Sequence, residues 1–248
     1  MVQIKSQREI NLMKEAGHIN YLTHEELKKH IRPGITTLEL DKIAHDFILS
    51  RDATPSCLNY EGFPKSICIS INDEVVHGIP SSRKLKNGDI ISIDFCVRKN
   101  GYESDSARTH IVGTTTEEKQ RLVELTEKAL YIGLNVIKAG AKIGDVGHAI
   151  QTYAESNGLS VVRELVGHGV GTEMHEDPDV PNYGEANTGR TLKTGMTIAV
   201  EPMLNLGTKE VCMLDDDWTI VTEDGSPSAH FEHTVAVTDD GYEILTGE

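Results

Sequence analysis

The sequence predicts an α+β fold in which helices back an antiparallel sheet and one plan of elements is used twice. The first observation behind this prediction is an internal repeat. The segment 87–94 matches the segment 194–201, with glycines, branched apolar residues and a final carboxylate at equivalent positions. The second is the order of elements, because two helical patterns precede a run of strands in each half. Alternating βαβ units would place one helix between successive strands, so this order favours α+β.

The two helices of the first half are predicted by a start signal and by apolar spacing. Ser6 and Glu9 have the spacing of a capping box, in which each side chain accepts a hydrogen bond from the other residue's backbone. After Pro33 and Gly34, apolar residues recur at the spacing of one helix face: Leu40, Ile43, Ala44 and Phe47. We therefore expect a long capped helix followed by an amphipathic one.

The second half repeats this arrangement. Thr115 and Glu118 have the capping-box spacing, and the helix after them carries apolar residues at alternating steps: Leu122, Leu125, Ala129, Ile132 and Val136. A second helical pattern follows: Val146, Ala149, Ile150 and Tyr153. Since no linker rich in proline, glycine or serine separates the halves, we expect one domain, residues 1–248. Its internal pseudo-repeat would divide at about 1–113 and 114–248.

The first half also predicts a hairpin that carries carboxylates. Residues two apart on a strand share a face, which groups three side chains of the first strand: Ser92, Asp94 and Cys96. The run 99–101 (Lys-Asn-Gly) is a turn signal, and it leads into a predicted strand over 102–112 that carries Asp105. Both aspartates are therefore expected on neighbouring strands.

The second half places carboxylates in the corresponding strands. One strand groups three side chains on a face: Ala199, Glu201 and Met203. A strand over 228–238 is expected to place Glu232 on one face with three others: His230, Thr234 and Ala236. A carboxylate on an otherwise apolar strand costs several kcal/mol unless a cation or donors compensate it. Equivalent carboxylates in both halves therefore indicate a shared cation.

Three histidines complete the candidate ligands. His168 lies among glycines in the run 167–171, where the backbone can turn tightly, and His175 and His77 lie in other loop-like segments. Oxygen ligands with one or two imidazoles suit Mn, Fe, Co or Zn, and bridging carboxylates are typical of dinuclear sites. The residues alone leave open which histidines are ligands, and a dinuclear phosphoesterase fits them as well. Five histidines on predicted helices are expected to be solvated: His18, His24, His30, His45 and His148.

Composition argues against several other classes of protein. The net charge of −15 and the pI near 5.1 disfavour a nucleic-acid surface, which needs a basic footprint. We expect no membrane partner, because neither a secretory h-region nor an apolar run of about 18 residues occurs. The cysteines lack CxxC spacing, which predicts reduced thiols in a cytoplasmic protein: Cys57, Cys68, Cys96 and Cys212.

Taken in order along the chain, six short blocks resemble the type I methionine aminopeptidases, which have the pita-bread fold. The resemblance covers nearly the whole chain, and it is specific because all six blocks follow one another in the family's order. They are the segments 72–80, 93–94, 101–108, 167–171, 200–203 and 231–234.

This resemblance implies a dinuclear metal site and gives each candidate residue a role. Two divalent ions per chain, Co, Mn, Fe or Zn, would be held by five ligands: Asp94, Asp105, His168, Glu201 and Glu232. Asp105 and Glu232 would bridge both ions. Asp94 would complete one ion, and His168 with Glu201 would complete the other. The remaining histidines would contact the substrate: His77 and His175.

By the same resemblance, the chain is a metalloaminopeptidase that removes the N-terminal methionine of nascent proteins and prefers a small second residue. A hydroxide held between the ions would attack the first carbonyl, with Glu201 as general base and His77 and His175 stabilising the developing charge. The methionine would enter a pocket of sulfur and aromatic groups: Cys57, Tyr60, Phe63, Cys68, His77, Met174 and Trp218. We expect a monomer that meets the ribosome transiently.

Three related classes are the alternatives to this reading. A proline-directed aminopeptidase (aminopeptidase P or prolidase) usually has an extra N-terminal domain, for which this chain has no room. A type II methionine aminopeptidase has a long helical insertion between the positions of His175 and Glu201. A non-catalytic pita-bread binding protein loses ligands that are present here. Mild departures from the family pattern change no ligand: Glu61, Ser104, Pro227 and His230.

Overall fold

The computed structural model describes residues 2–248. Over these residues the chain forms four α-helices: α1 (Gln7–Lys28), α2 (Thr37–Leu49), α3 (Glu117–Leu134) and α4 (Ile143–Ser156). A 3₁₀ turn spans Tyr60–Gly62. No helix in this range combines the length and apolar character that crossing a membrane requires. Two helices precede a run of strands in each half, which confirms the predicted α+β class.

The strands pair antiparallel. Their bounds are β1 (Thr54–Pro55), β2 (Cys68–Ile71), β3 (Glu74–Val76), β4 (Ile90–Lys99), β5 (Tyr102–Ile111), β6 (Ser160–Val161), β7 (Gly167–Gly169), β8 (Glu176–Val180), β9 (Thr197–Val200), β10 (Met203–Asn205), β11 (Val211–Met213), β12 (Ile220–Thr222), β13 (Ser228–His230), β14 (His233–Val237) and β15 (Tyr242–Ile244). One sheet has the order β1-β4-β2 with β5 paired to β4, and another has the order β15-β14-β9-β7-β8. These two sheets carry three of the five implied metal ligands: Asp94 on β4, Asp105 on β5 and His168 on β7.

Helix starts follow the expected capping chemistry in α1 but not in α3. Ser6 caps α1, and both hydrogen bonds of its capping box with Glu9 are present, as predicted. The predicted cap at Thr115 is wrong by one residue, because Thr116 caps α3 and its hydroxyl accepts a backbone N–H at 3.4 Å. Thr115 instead donates its hydroxyl to the Gly88 carbonyl at 2.9 Å. The loop before β4 therefore holds Thr115 outside the helix.

The β4–β5 hairpin forms as predicted and supplies the first half of the site. Its turn residues Asn100 and Gly101 have φ of 53° and 86°, and positive values are what a two-residue hairpin turn requires. All ten residues of β4 pair with β5. The register places Asp94 opposite Ala107 and Cys96 opposite Asp105. The two aspartates are therefore diagonal neighbours on one face of the sheet.

The corresponding strands of the second half are interrupted, so the prediction of one strand over 228–238 is wrong. β13 ends at His230, β14 begins at His233, and the two belong to different sheets. The partner strands break at the same level, since β9 ends at Val200 and β10 begins at Met203. The prediction of one strand that carries Ala199, Glu201 and Met203 on a single face is therefore wrong as well.

These two breaks put Glu201 and Glu232 on irregular backbone. Pro202 lies in the first break and has no N–H to continue a ladder, while its carbonyl accepts the Phe231 N–H at 3.4 Å. The Glu232 N–H donates to the Ala107 carbonyl of β5 at 2.9 Å. The backbone thus leaves its own sheet to bond to the hairpin of the other half, which brings Glu232 toward the two aspartates.

The predicted helix faces pack into two large apolar clusters. α3 and α4 contribute to one cluster: Leu122, Leu125, Ala129, Val146 and Ile150. α2 contributes Leu40 and Ala44 of its predicted face to the other, with Ile43 packed against it, whereas Ile48 is buried there in place of the predicted Phe47. One expected surface histidine is buried instead. His24 is fully buried in α1, and its Nε2 lies 3.1 Å from the Ser106 hydroxyl, so the prediction that it is solvated is wrong.

Candidate metal centre

A cavity of about 470 Å³ opens where the β4–β5 hairpin meets the strand breaks of the second half. Its walls include the five side chains implied as ligands and the two histidines assigned to the substrate: Asp94, Asp105, His168, Glu201, Glu232, His77 and His175. Leu165 and Met203 form part of the remaining wall. Residues that are far apart in the sequence thus meet in one cavity.

Three of these side chains are close enough to share an ion. Ligand atoms of Asp105, His168 and Glu232 lie within 4.8 Å of one another, the one such group found among residues 2–248. Asp105 Oδ1 and Glu232 Oε1 are buried and have no hydrogen-bond partner in the described part of the chain. A buried acceptor without a donor costs about 1–3 kcal/mol, and more when it is charged. A cation is the partner that both oxygens would accept.

His168 presents a lone pair to the carboxylates. Its Nε2 lies 3.6 Å from Asp105 Oδ2 and 3.6 Å from Glu201 Oε1. Its Nδ1 lies 2.9 Å from the Gly169 carbonyl oxygen, which accepts only from a protonated nitrogen. Burial and the neighbouring His175 lower the pKa of His168 to about 4. At neutral pH the ring is therefore neutral, with its proton on Nδ1 and Nε2 available to a metal.

The four carboxylates resist ionisation when no cation is bound. Burial raises the pKa of Asp105 to about 7. Burial and the charge of Asp105 raise the pKa of Asp94, Glu201 and Glu232 well above the usual range. Desolvation and like charges both disfavour the anions, and a divalent ion would reverse both effects. The donor set therefore fits a divalent metal.

His77 and His175 line the cavity as neutral rings. Burial lowers the pKa of each below its ordinary value. The Nδ1 of His175 lies 2.8 Å from the Tyr60 hydroxyl, and its ring centroid lies 4.3 Å from that of His168. The ring of His77 meets the Trp218 ring edge-on, with centroids 6.3 Å apart. A neutral imidazole carries one N–H, so each ring can donate one hydrogen bond to a bound molecule.

The side chains assigned to the methionine pocket gather beside these histidines. They belong to one apolar cluster, four of them buried and two half-buried against it: Cys57, Phe63, Cys68, Met174, Tyr60 and Trp218. The Phe63 and Trp218 rings meet edge-on with centroids 5.1 Å apart. All four cysteines are free thiols in the described residues, which agrees with the predicted reduced state.

Two residues outside the assigned set also reach the site. Cys96 lies opposite Asp105 in the β4–β5 register, and its N–H donates to Cys57 Sγ at 3.4 Å. Alternation along β4 had placed Cys96 on the face of Asp94, so this contact had a signal in the sequence. The second residue is His230, whose Nε2 lies 3.6 Å from Glu201 Oε2. Alternation had grouped His230 with Glu232 on one strand face, but the strand break between them leaves its contact with Glu201 unpredicted.

Comparison with known proteins gives the class and then the nearer relatives. Residues 11–239 match the family model described as metallopeptidase family M24. "Methionine aminopeptidase 1" of Bacillus subtilis is 55% identical over 99% of this chain and 99% of its own length. The crystal structure of methionine aminopeptidase from Rickettsia prowazekii has a TM-score of 0.98 at 45% identity, covering 99% of this chain and 100% of that one.

The chain belongs to metallopeptidase family M24, and within that family to the methionine aminopeptidases. The X-Pro aminopeptidase of Thermotoga maritima is a more distant likeness, with a TM-score of 0.78 at 22% identity over 99% of this chain and 62% of that one. At that identity the likeness shows the fold alone, and the much more similar methionine aminopeptidases do not favour the proline-directed alternative.

Proposed function

We propose that this protein removes the N-terminal methionine from polypeptides with a small second residue, in a metal-dependent hydrolysis. The observation that carries the proposal is the cavity itself, in which the four candidate carboxylates and three neutral imidazoles converge beside a cluster of sulfur and aromatic side chains. The relatives' names support the choice of substrate, and the donor set supports the need for metal.

The metal site would use the five side chains as the resemblance implies. Asp105 and Glu232, whose buried oxygens lack partners in residues 2–248, would bridge two divalent ions. Asp94 would complete one ion, and His168 with Glu201 would complete the other. An oxygen-rich set with one imidazole accepts cobalt, manganese, iron or zinc. When bound, the ions would supply Lewis acidity and a nucleophile at neutral pH.

Glu201 is the residue that we assign to move a proton. It is buried, and burial together with the charge of Asp105 gives it a pKa well above that of an ordinary glutamate. A carboxylate with such an affinity for protons can take one from the nucleophile and return it to the leaving amine. Its position beside His168, at 3.6 Å, keeps that exchange next to the proposed metal ligands.

His77 and His175 would act on the scissile peptide rather than on the metal. Both rings are neutral near pH 7, because burial lowers their pKa. The Tyr60 hydroxyl lies at the Nδ1 of His175, so its donation there would leave the Nε2–H free for the substrate. Each ring would donate to the carbonyl oxygen or the leaving amide as charge develops.

The side-chain preference follows from the pocket and from the cavity wall. Sulfur–aromatic contacts are worth about 0.3–1.5 kcal/mol each, so Cys57, Cys68, Phe63 and Trp218 would favour a thioether over an isosteric alkyl chain. The second residue of the substrate would lie against the carboxylate wall. Forcing a large side chain into a packed site costs about 1–3 kcal/mol, which selects small residues there.

We extend the proposal to the cellular setting of the reaction. The substrates would be nascent polypeptides met by transient proximity to the ribosome, in the cytoplasm, by a monomer. Free buried thiols at Cys57, Cys68 and Cys96 support a reducing compartment. The bond from the Glu232 N–H to Ala107 supports one domain, because it joins the proposed halves 1–113 and 114–248 at the site.

The test is the release of free methionine from Met-Ala-Ser by the metal-loaded protein. We expect turnover that is lost on chelation and absent with N-acetyl-Met-Ala-Ser, whose amine is blocked. Ala-Pro-Ser and a phosphate monoester serve as competing substrates in the same assay. Faster cleavage of Ala-Pro-Ser would support the proline-directed class instead, and faster hydrolysis of the phosphate ester would replace the peptidase proposal with a phosphoesterase.

A further inference from the structure

His230 lies behind Glu201 and has no part in the roles assigned so far. Its side chain is 1% exposed, and neither Nδ1 nor Nε2 has a hydrogen-bond partner among residues 2–248. Buried polar atoms are almost always paired in folded proteins, because leaving them unpaired destabilises the fold. A ring with two such atoms therefore needs an explanation from a neighbouring group.

The backbone fixes this ring in its place. The His230 N–H donates to the Thr109 hydroxyl oxygen at 3.0 Å, and the same hydroxyl donates to the His230 carbonyl at 2.8 Å. On its other side, His230 is paired with Met203 across β10 and β13. The residue is thus tied to β5 and to β10 at once, so its ring cannot withdraw toward solvent.

The ring faces the carboxylate of Glu201. His230 Nε2 lies 3.6 Å from Oε2, and His168 Nε2 lies 3.6 Å from Oε1. Glu201 is therefore flanked by two imidazoles, one at each oxygen. The two rings differ in their surroundings, since His168 lies in the cavity wall and His230 lies outside it. In the described residues, His230 is also absent from the cluster that could hold an ion.

We infer that His230 is a positioning residue for Glu201, with its Nε2–H directed at Oε2 so that Oε1 turns toward His168 and the metal. The inference rests on the proposed function, because it assigns His230 to the same site. A neutral imidazole carries one N–H, which is the single donor that this role needs, and the ring is almost fully enclosed at a position where its other partners are lacking.

The contact has room to tighten when the site is filled. A separation of 3.6 Å is longer than a normal hydrogen bond. Metal binding would hold Glu201 as an anion, and a bond to an anionic acceptor is shorter and stronger than a neutral one. Groups that orient metal ligands in this way commonly change metal affinity or activity by about 10- to 100-fold when they are removed.

The test compares two substitutions that separate donation from volume. His230→Phe keeps a planar ring without a donor, and His230→Gln keeps an N–H donor. The control is His110→Phe, because His110 is a half-buried imidazole whose Nε2 is buried without a partner in the described chain, and it lines a different cavity. Each protein is stripped of metal and titrated with Mn²⁺ by calorimetry, and kcat and KM are measured on Met-Ala-Ser.

For His230→Phe, we expect Mn²⁺ affinity at the tighter site to fall by about 10- to 100-fold and kcat to fall more than KM rises. The metal-free variant should be no less stable than the parent, because phenylalanine leaves no polar atom unpaired. His230→Gln should keep Mn²⁺ affinity within about threefold of the parent, as donation from an amide replaces donation from the ring. His110→Phe should leave Mn²⁺ affinity unchanged.

Two results would overturn the inference: unchanged Mn²⁺ affinity in His230→Phe, or a loss in His230→Gln as large as in His230→Phe. If the phenylalanine variant does not fold, the ¹⁵N spectrum of the histidines in the zinc-loaded parent decides. A proton on Nε2 of His230 supports the inference, and a bare Nε2 refutes it. If the affinities follow the expected pattern but no methionine is released, the proposed function fails while the positioning role stands.

Discussion

Replacing Asp105 by asparagine should stabilise the metal-free protein and remove its stabilisation by metal. The substitution keeps the shape of the side chain and deletes its charge. In the metal-free protein, burial raises the pKa of Asp105 from 3.8 to about 7. The folded state therefore holds the proton more tightly than the unfolded state does. The contribution of Asp105 to stability is therefore present below pH 4, where the side chain is protonated, and is lost as pH rises toward 7.

The size of the effect follows from that difference in pKa. One unit corresponds to about 1.4 kcal/mol, so a rise from 3.8 to about 7 disfavours the folded state by roughly 4 kcal/mol above pH 7. Asparagine avoids this cost but buries an amide whose donors need partners. We expect a net gain of about 1–3 kcal/mol, or roughly 2–4 °C in Tm for each kcal/mol.

The assay is scanning calorimetry at pH 5 and pH 8, with and without saturating Mn²⁺. The parent should gain stability from metal at pH 8, and Asp105→Asn should gain little. The control is Asp41→Asn, because Asp41 is a buried carboxylate outside the cavity that accepts the Ser66 and Ile67 N–H groups at 2.8 and 3.2 Å. Asp41→Asn should keep the parent's full gain in stability from Mn²⁺, because Asp41 does not line the cavity. A metal-free Asp105→Asn that is less stable than the parent at pH 8, yet keeps its full response to Mn²⁺, would refute the reasoning.

Three further predictions concern ligands, specificity and acid stability. His77→Ala and His175→Ala should still bind two ions per chain by calorimetry, whereas His168→Ala should lose tight binding of one ion. If His175→Ala loses as much metal affinity as His168→Ala, the assigned roles are contradicted. Peptides that begin Met-Gly, Met-Ala or Met-Ser should be cleaved about 10- to 100-fold faster than Met-Leu, Met-Lys or Met-Phe peptides in a chromatographic assay, and preference for Leu-Pro or Ala-Pro starts would contradict this. Burial lowers the pKa of His110 from 6.5 to about 4, so as pH falls the unfolded chain protonates this histidine before the folded protein does. About 3 kcal/mol of stability should therefore be lost between pH 6.5 and pH 4. Denaturant unfolding of His110→Gln should show a correspondingly smaller loss of stability over the same pH range.

The first half of the site could be predicted because its geometry is local. Asp94 and Asp105 lie on two strands joined by a two-residue turn, and the signals for that turn and for strand alternation are adjacent in the sequence. The same alternation placed Cys96 beside Asp94. A hairpin fixes its register through its own turn, so the diagonal relation of the two aspartates follows without knowledge of the rest of the fold.

The second half could not be predicted from alternation alone. Pro202 cannot donate to a ladder, and the route of the chain after it depends on the bond from the Glu232 N–H to Ala107, which joins residues far apart in sequence. Alternation grouped His230 with Glu232, whereas the break between β13 and β14 separates them. The cap of α3 at Thr116 has the same origin, because a tertiary bond from Thr115 to Gly88 decides it.

Burial of single polar side chains was the other feature that local patterns missed. His24 was expected on the exposed face of its helix, yet it is fully buried against Ser106. Whether a helical histidine faces water depends on which element covers that face, and this is a property of packing. The family resemblance implied a set of five ligands, and these side chains line one cavity, because motif order carries what spacing within one element does not.

The most direct test of the account is a titration of the metal-free protein with Mn²⁺ during turnover of Met-Ala-Ser. We propose that five side chains form one metal centre and that this centre makes the protein an aminopeptidase. Methionine release should be undetectable without metal, should rise with each addition, and should reach its plateau by two equivalents per chain. The same titration of Glu232→Ala, which should fold normally, should stay several orders of magnitude below that plateau. Methionine release without metal, or near-normal release by Glu232→Ala at saturating Mn²⁺, would contradict the account.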